Sequence, residues 1–234
     1  VALDTTQLSD GSHVVKTKVY DAPINSNPRS RESAGRTIVV DNTGPNVVIA
    51  TPAQGSFISD IDSFDVSASG SDAIAGFASV ALVIDGQSVD IRSVSGTTWN
   101  GTFSVNPTGM TAGNHLLQLV ATDALGNQQM STERLVKIDN EDPVVSVSAP
   151  LTGSILTSAE AISAMATDNS KITTLEWRVD GTLVAIQASP TDFPANASVM
   201  RTTIWDSTTT ANGTHSLTVR AIDQFGHATT SAAV

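Results

Sequence analysis

Two stretches of this chain bring together oxygen-bearing side chains of the kind that hold a hard divalent cation. VDNTGP at residues 40–45 supplies Asp41 and Asn42, and IDNEDP at residues 138–143 supplies Asp139, Asn140, Glu141 and Asp142. Single carboxylates recur at matching places downstream, Asp72 and Asp123 after the first stretch and Asp168 and Asp223 after the second. Calcium takes about six to eight oxygens at roughly 2.3–2.6 Å, from carboxylates, carbonyls and water. Either set, folded to one place, is therefore a candidate calcium site, and the second is the stronger because it holds more carboxylates. The competing expectation is that Asp123 and Asp223 cap their own turns, and that Asp-Asn and Asp-Pro pairs are ordinary linker chemistry.

Other chemistry finds little to work with. His13, His115 and His215 head three copies of one phrase, GSHVVKTKVYD (11–21), GNHLLQLVATD (113–123) and GTHSLTVRAID (213–223). Each lies in a different repeat, so no two can share a metal ion. The expected role is a polar corner residue that bonds back to the backbone before its strand. His227 has no counterpart in the phrase and is expected at the surface. The chain has no cysteine, no GxSxG elbow, no HExxH and no Gly-rich phosphate loop. No two carboxylates sit among apolar residues in a way that would separate their pKa values for acid and base work. An enzyme is not expected.

The elements that must position these groups follow from periodicity. In the repeated phrase apolar residues alternate (Val15, Val19; Leu117, Leu119, Ala121; Leu217, Val219, Ala221), which makes each copy a half-buried strand. Val66 and Ala68 match Ile162 and Ala164 on one strand, and Val80, Leu82 and Ile84 match Leu175, Trp177 and Val179 on the next. Each of these latter strands ends in Asp-Gly, at Asp85-Gly86 and Asp180-Gly181, a pair suited to the positive φ of a tight hairpin. By parity Trp99, Trp177 and Trp205 all read as core, which leaves too few exposed rings for a sugar platform. The repeats divide the chain into a C-terminal remnant at 1–45, a full repeat at 46–140 and a second at 141–234. The remnant carries an insertion, APINSNPRSRESAGR (22–36), with Arg29, Arg31 and Arg36; a solvated loop is expected there, with a docking patch as the alternative. Val15 and Val19 need a cover that the remnant itself does not supply.

Composition bounds the partners. A net charge of −11 and a pI near 4.5 disfavour nucleic acid or an anionic membrane surface, both of which need a basic face. No apolar run approaches the roughly 18 residues of a membrane span. Missing cysteine, few aromatics and abundant small polar residues suit a secreted bacterial β-protein. The chain starts at Val1 with no signal peptide, which reads as a piece of something longer.

With these residues in view, PAQG and PLTG, LEWRVDGTLV, WDSTTTANGTH and VRAIDQFGHA resemble bacterial immunoglobulin-like repeats, across both full repeats and the remnant. The resemblance implies an all-β fold of tandem immunoglobulin-like antiparallel sandwiches, seven strands each, non-catalytic and extracellular. The acidic stretches resemble the calcium-stiffened joints of cadherin-like and adhesin arrays. The implied role is a spacer, stalk or adhesion module of a bacterial surface or secreted protein. Its partners would be neighbouring repeats of a longer chain and a protein or carbohydrate ligand at the surface. The alternative roles are an accessory module of a secreted polysaccharide- or protein-degrading enzyme, or a subunit of a larger particle.

Overall fold

The computed structural model describes residues 2–21, 29–188 and 195–234. Among them strands dominate and the only helical turns are two short 3-10 segments, Thr5–Gln7 and Ser207–Thr209. The chain divides into two compact units, one of Val1–Gln54, Asp65–Val105 and His115–Leu135, the other of Gly55–Phe64, Asn106–Asn114 and Val136–Val234.

In the first unit, Phe64–Ser71 lies between Asn46–Thr51 and Thr98–Val105, and Phe77–Ile84 lies between Gln87–Ser93 and Gly113–Asp123. The inward parity is the expected one. Val66, Ala68, Val80, Leu82, Ile84, Leu117, Leu119 and Ala121 are all buried. Phe103 is fully buried beside Trp99, with ring centroids 6.1 Å apart. The hairpin after Phe77–Ile84 turns at Asp85 (φ 49°) and Gly86 (φ 78°), the two successive positive φ values of a type I′ turn, whose twist matches that of the strands it joins.

The second unit holds a seven-strand sandwich. One sheet runs Val144–Ala149, Ala159–Thr167, Val199–Asp206; the other runs Thr182–Ala188, Ile172–Val179, Leu217–Asp223, Ala228–Thr230. Trp177 is completely buried at its centre among Ile162, Leu175 and Val219. Trp205 departs from the expectation, as does Trp99 in the first unit: both are only half-buried. Each sits on a strand at the border of its sheet, where the inward face is only partly roofed. A further departure is one parallel pair. Ser56–Ser59 runs alongside the end of Arg134–Asp139, with Val136 opposite Ser56 and Asp139 opposite Ser59.

The N-terminal segment corrects a second expectation. The first copy of the phrase is not one core strand but two short pieces, Gly11–Val15 paired with Arg36–Val40 and Lys18–Tyr20 paired with Ser30–Glu32. Val14, Val15, Val19 and Tyr20 are exposed. Alternation marks which residues would face a core, but a strand is buried only where an opposing sheet lies across it. The described part of the insertion is half of a β-ribbon rather than a plain loop; residues 22–28 lie outside the described residues.

Candidate functional site: two acidic centres

The first centre is assembled from three strand ends. Arg36–Val40 stops just before Asp41, Phe64–Ser71 just before Asp72, and Gly113–Asp123 on Asp123 itself. Each carboxylate then folds onto neighbouring backbone. Asp72 Oδ1 accepts from the amides of Ile74 and Gly76, both at 2.9 Å. Asp123 Oδ1 accepts from Leu125 and Asn127, both at 2.8 Å, and Asp41 Oδ2 accepts from Ala75 at 2.9 Å. One ligand oxygen from each of Asp41, Asp72 and Asp123 lies within 4.8 Å of the others. Oxygens on opposite sides of a calcium ion are about 4.6–5.2 Å apart, twice the usual Ca–O distance, so the three can share one ion. Asp72 is only 6% exposed and its Oδ2 has no hydrogen-bond donor. A buried anionic oxygen left in that state is unfavourable unless a cation or proton meets it.

The second centre repeats the plan. Asp139 ends Arg134–Asp139, Asp223 ends Leu217–Asp223, and Asp168 follows Ala159–Thr167. Ligand atoms of Asp139, Asp223 and His227 lie within 4.8 Å of one another. Asp139 Oδ1 accepts from Glu141 N at 3.2 Å, and Asp168 Oδ1 accepts from Ser170 N and Oγ at 2.8 and 2.9 Å. The Oδ2 of each is buried without a donor. Burial raises the pKa of both carboxyls; the charge of Asp223 raises both further, and that of Asp168 adds to Asp139. Asp223 Oδ1 accepts three amides, from Phe225, Gly226 and His227, at 2.6–2.8 Å. Asp123 and Asp223 thus cap their turns, as one expectation had it, while also facing these centres.

His227 corrects the sequence reading. It is not a surface residue: its side chain is 13% exposed and lies between Asp223 Oδ2, 2.7 Å from Nδ1, and Asp60 Oδ1, 3.1 Å from Nε2. Both ring nitrogens face carboxylates, so both carry hydrogens in the charged form. Burial opposes that charge, but the bond to Asp223, the Asp223 charge and Asp60 outweigh it and hold the pKa above its ordinary value. His227 also has a repeat partner. Asn127 takes its place in the first centre, its Nδ2 donating to Asp123 Oδ2 at 2.7 Å and to Asp41 O at 3.1 Å. The spacing of four residues after Asp123 and after Asp223 was the available signal. Nothing marked Asp60.

The remaining expected ligands are placed elsewhere. Asn42 Nδ2 donates to the carbonyls of Thr5 and Leu8, both at 3.0 Å, and Asn140 Nδ2 to that of Met110 at 3.1 Å. Glu141 is exposed and accepts from Asn169 at 3.3 Å; Asp142 is exposed. Of the acidic run 139–142 only Asp139, the last ladder residue, turns inward into the cluster.

His13 and His215 act as the expected corners. His13 Nε2 lies 2.6 Å from Ser9 O and His215 Nε2 2.7 Å from Ala211 O. A second contact was not foreseen: His115 Nδ1 and His215 Nδ1 each lie 2.6 Å from an oxygen of the hairpin-turn aspartates, Asp85 and Asp180. Through these bonds Asp180, then the Ala211 carbonyl, raises the His215 pKa. These clasps join turn to corner, and each aspartate also accepts the amide that follows its histidine, Asp85 from Leu116 N at 2.8 Å and Asp180 from Ser216 N at 2.9 Å.

Comparison with known proteins places this architecture. The bacterial Ig domain family matches residues 45–118 and again 143–219, together more than half of the chain. The chain belongs to that family. Among solved structures this bacterial Ig chain is similar to fibronectin(III)-like modules of Clostridium thermocellum CbhA, at 18% identity and a TM-score of 0.34, over 80% of this chain and 92% of the other. It is similar also to a chain of the Dpr2 Ig1-Ig2 complex with DIP-Theta Ig1-Ig3, at 14% identity and a TM-score of 0.36, over 94% and 72%. A third likeness is to Bacteroides uniformis beta-glucuronidase 3, at 12% identity and a TM-score of 0.26, over 81% and 24%. Scores this low carry no argument about function. Curated protein sequences contain no significant match. Ig-like families are generally non-catalytic, and no helix among the described residues is long and apolar enough to cross a membrane.

Proposed function

We propose that the chain is a non-catalytic spacer or adhesion segment of a bacterial surface or secreted protein, with calcium bound at both acidic centres. The observation that carries this reading is the same at each centre. A residue that closes one repeat meets polar side chains from loops of the next, Asp41 meeting Asp72 and Asp123, Asp139 meeting Asp223 and His227 with the charge of Asp168 felt nearby, and a deeply buried oxygen at each centre lacks a donor. Asp41, Asp72 and Asp123 would hold the ion in the first centre; Asp139, Asp168 and Asp223 would hold it in the second. Carbonyls and water complete such a shell. When bound, the cation offsets the clustered negative charge, and the carboxylates it gathers tie a terminal strand to two loops of the following repeat. A joint held in that way loses its hinge freedom. Neighbouring repeats are then the first partners, and a surface ligand the second.

Calorimetry with calcium, together with small-angle scattering and thermal melting in calcium and in excess chelator, tests the reading. Heat of binding, a higher melting temperature and a longer or narrower distance distribution in calcium are expected. No heat and unchanged melting and dimensions would leave Asp123 and Asp223 as turn caps only.

A further inference from the structure

The two acidic centres do not offer a cation the same atoms. In the first, Asp41, Asp72 and Asp123 supply oxygen alone, and Asn127 spends its Nδ2 on Asp41 O and Asp123 Oδ2. In the second, an imidazole nitrogen of His227 is one of the three ligand atoms gathered within 4.8 Å, beside oxygens of Asp139 and Asp223. Asp139 is completely buried there and its Oδ2 has no donor. Asp60 sets the ring in place. Its Oδ1 accepts from His227 Nε2 at 3.1 Å, which leaves Nδ1, 2.7 Å from Asp223 Oδ2, as the nitrogen that faces the cluster. A metal-bound imidazole ordinarily gives its other N–H to a carboxylate in this way, which fixes tautomer and orientation. Two donors bound to one ion at about 2.0–2.1 Å stand about 3.0–3.4 Å apart. Nδ1 and Asp223 Oδ2 therefore need to part by only a few tenths of an ångström to admit one.

We infer that the second centre is a site for a divalent transition ion of the zinc class, held by Asp139, Asp223 and His227 Nδ1 with Asp60 orienting the ring, and that it prefers such an ion to calcium. The ion takes the place of the Nδ1 hydrogen, which leaves to solvent as a proton, while Nε2 keeps its hydrogen for Asp60. Imidazole nitrogen suits zinc, nickel and copper, whereas calcium is matched by oxygen. The count of ligands points the same way. Three protein donors and one water complete a four-coordinate zinc, but calcium asks for about six to eight oxygens. Calcium then stays at the all-oxygen first centre and enters the second where no such ion competes. The inference deepens the reading of these centres as cation sites and rests on it, adding a ligand and an orienting residue that calcium does not require.

The test titrates zinc chloride and calcium chloride, separately and in competition, into the whole chain carrying Asp72→Asn to silence the first centre. Calorimetry reads affinity, and proton–nitrogen NMR of the histidine rings reads the ligand. Zinc should move His227 Nδ1 and bind at least about tenfold more tightly than calcium. His227→Asn should reverse that order, and Asp60→Ala should weaken zinc about tenfold with calcium affinity unchanged. Calcium binding by both variants reports that the centre is still folded. An unmoved Nδ1, zinc shifts confined to His13, His115 and His215, or equal zinc affinity with and without His227 overturns the proposal. Calcium heat with no zinc heat removes this inference alone; no heat from either ion removes the cation reading of the second centre with it.

Discussion

The two acidic centres share their plan and differ in one side chain. Beside Asp41, Asp72 and Asp123 stands the neutral amide of Asn127; at the second centre, where Asp139 and Asp223 meet and Asp168 lies near enough to feel their charge, stands the imidazole of His227. An amide donates to a carboxylate without changing the local charge, whereas an imidazolium cancels one negative charge on the spot. The second centre therefore carries part of its own counter-ion, drawn also toward Asp60. Two sites that look equivalent from their aspartates should differ in how much they gain from an external cation.

That comparison needs the two repeats to be told apart, and the largest expected effect does so. Trp177→Ala empties the centre of the last repeat and should cost about 3–5 kcal/mol, splitting melting into two transitions by calorimetry; a melt identical to the parent's would mean the register described here is wrong. Next in size is calcium itself. At about a hundred times its dissociation constant, an ion bound only by the folded state adds about 2.7 kcal/mol. Asp72→Asn should remove that gain from the first transition alone, and Asp168→Asn from the second alone, as read by melting with and without chelator. Exchanging the fourth groups sharpens the contrast further. His227→Asn should tighten calcium at the second centre by up to about tenfold and Asn127→His should weaken the first similarly. Isothermal titration measures both, and equal affinities in all four combinations would end the distinction.

The smallest expected effect is on pH dependence in chelator. Asp139 and Asp168 have folded-state pKa values raised by burial first and by neighbouring carboxylates after it, and His227 is raised on balance by Asp223 and Asp60. A raised group contributes stability that is complete below its unfolded pKa and is lost as pH climbs through the folded one. For the carboxyls that window opens above 3.8 and for His227 above 6.5. The last repeat should therefore melt at a higher temperature in mild acid than at neutral pH, and calcium should flatten or reverse the slope. A last-repeat transition that falls monotonically from pH 7.5 to 5.5 in chelator contradicts these environments.

Much of this was legible in the residues because it is local or periodic. Val80, Leu82 and Ile84 beside Leu175, Trp177 and Val179 declare their buried face by alternation, and Asp-Gly declares the turns. The convergence of Asp41 with Asp72 and Asp123 comes from the ends of Arg36–Val40, Phe64–Ser71 and Gly113–Asp123 meeting at one place, and the recurrence of those carboxylates at matching places in the two repeats was its signal. What escaped reading depends on distant or missing partners. Lys18–Tyr20 carries the alternation of a core strand and is exposed for want of an opposing sheet. Ser56–Ser59 could not be assigned a parallel partner some eighty residues away, because alternation names a face and not a neighbour. Asp60 reaches His227 across 167 residues of sequence, and no spacing rule spans that distance.

The parallel pair of Ser56–Ser59 with Val136–Asp139 has a mechanical consequence. The first lies near the start of a repeat and the second at its end, so tension applied along the chain draws the two strands in opposite directions along their common axis. Their hydrogen bonds are then strained together in shear. In an antiparallel pair pulled apart from one end, bonds would open one after another and each would meet the whole force. Four paired residues loaded in shear at the exit of a repeat resist extension together rather than one at a time.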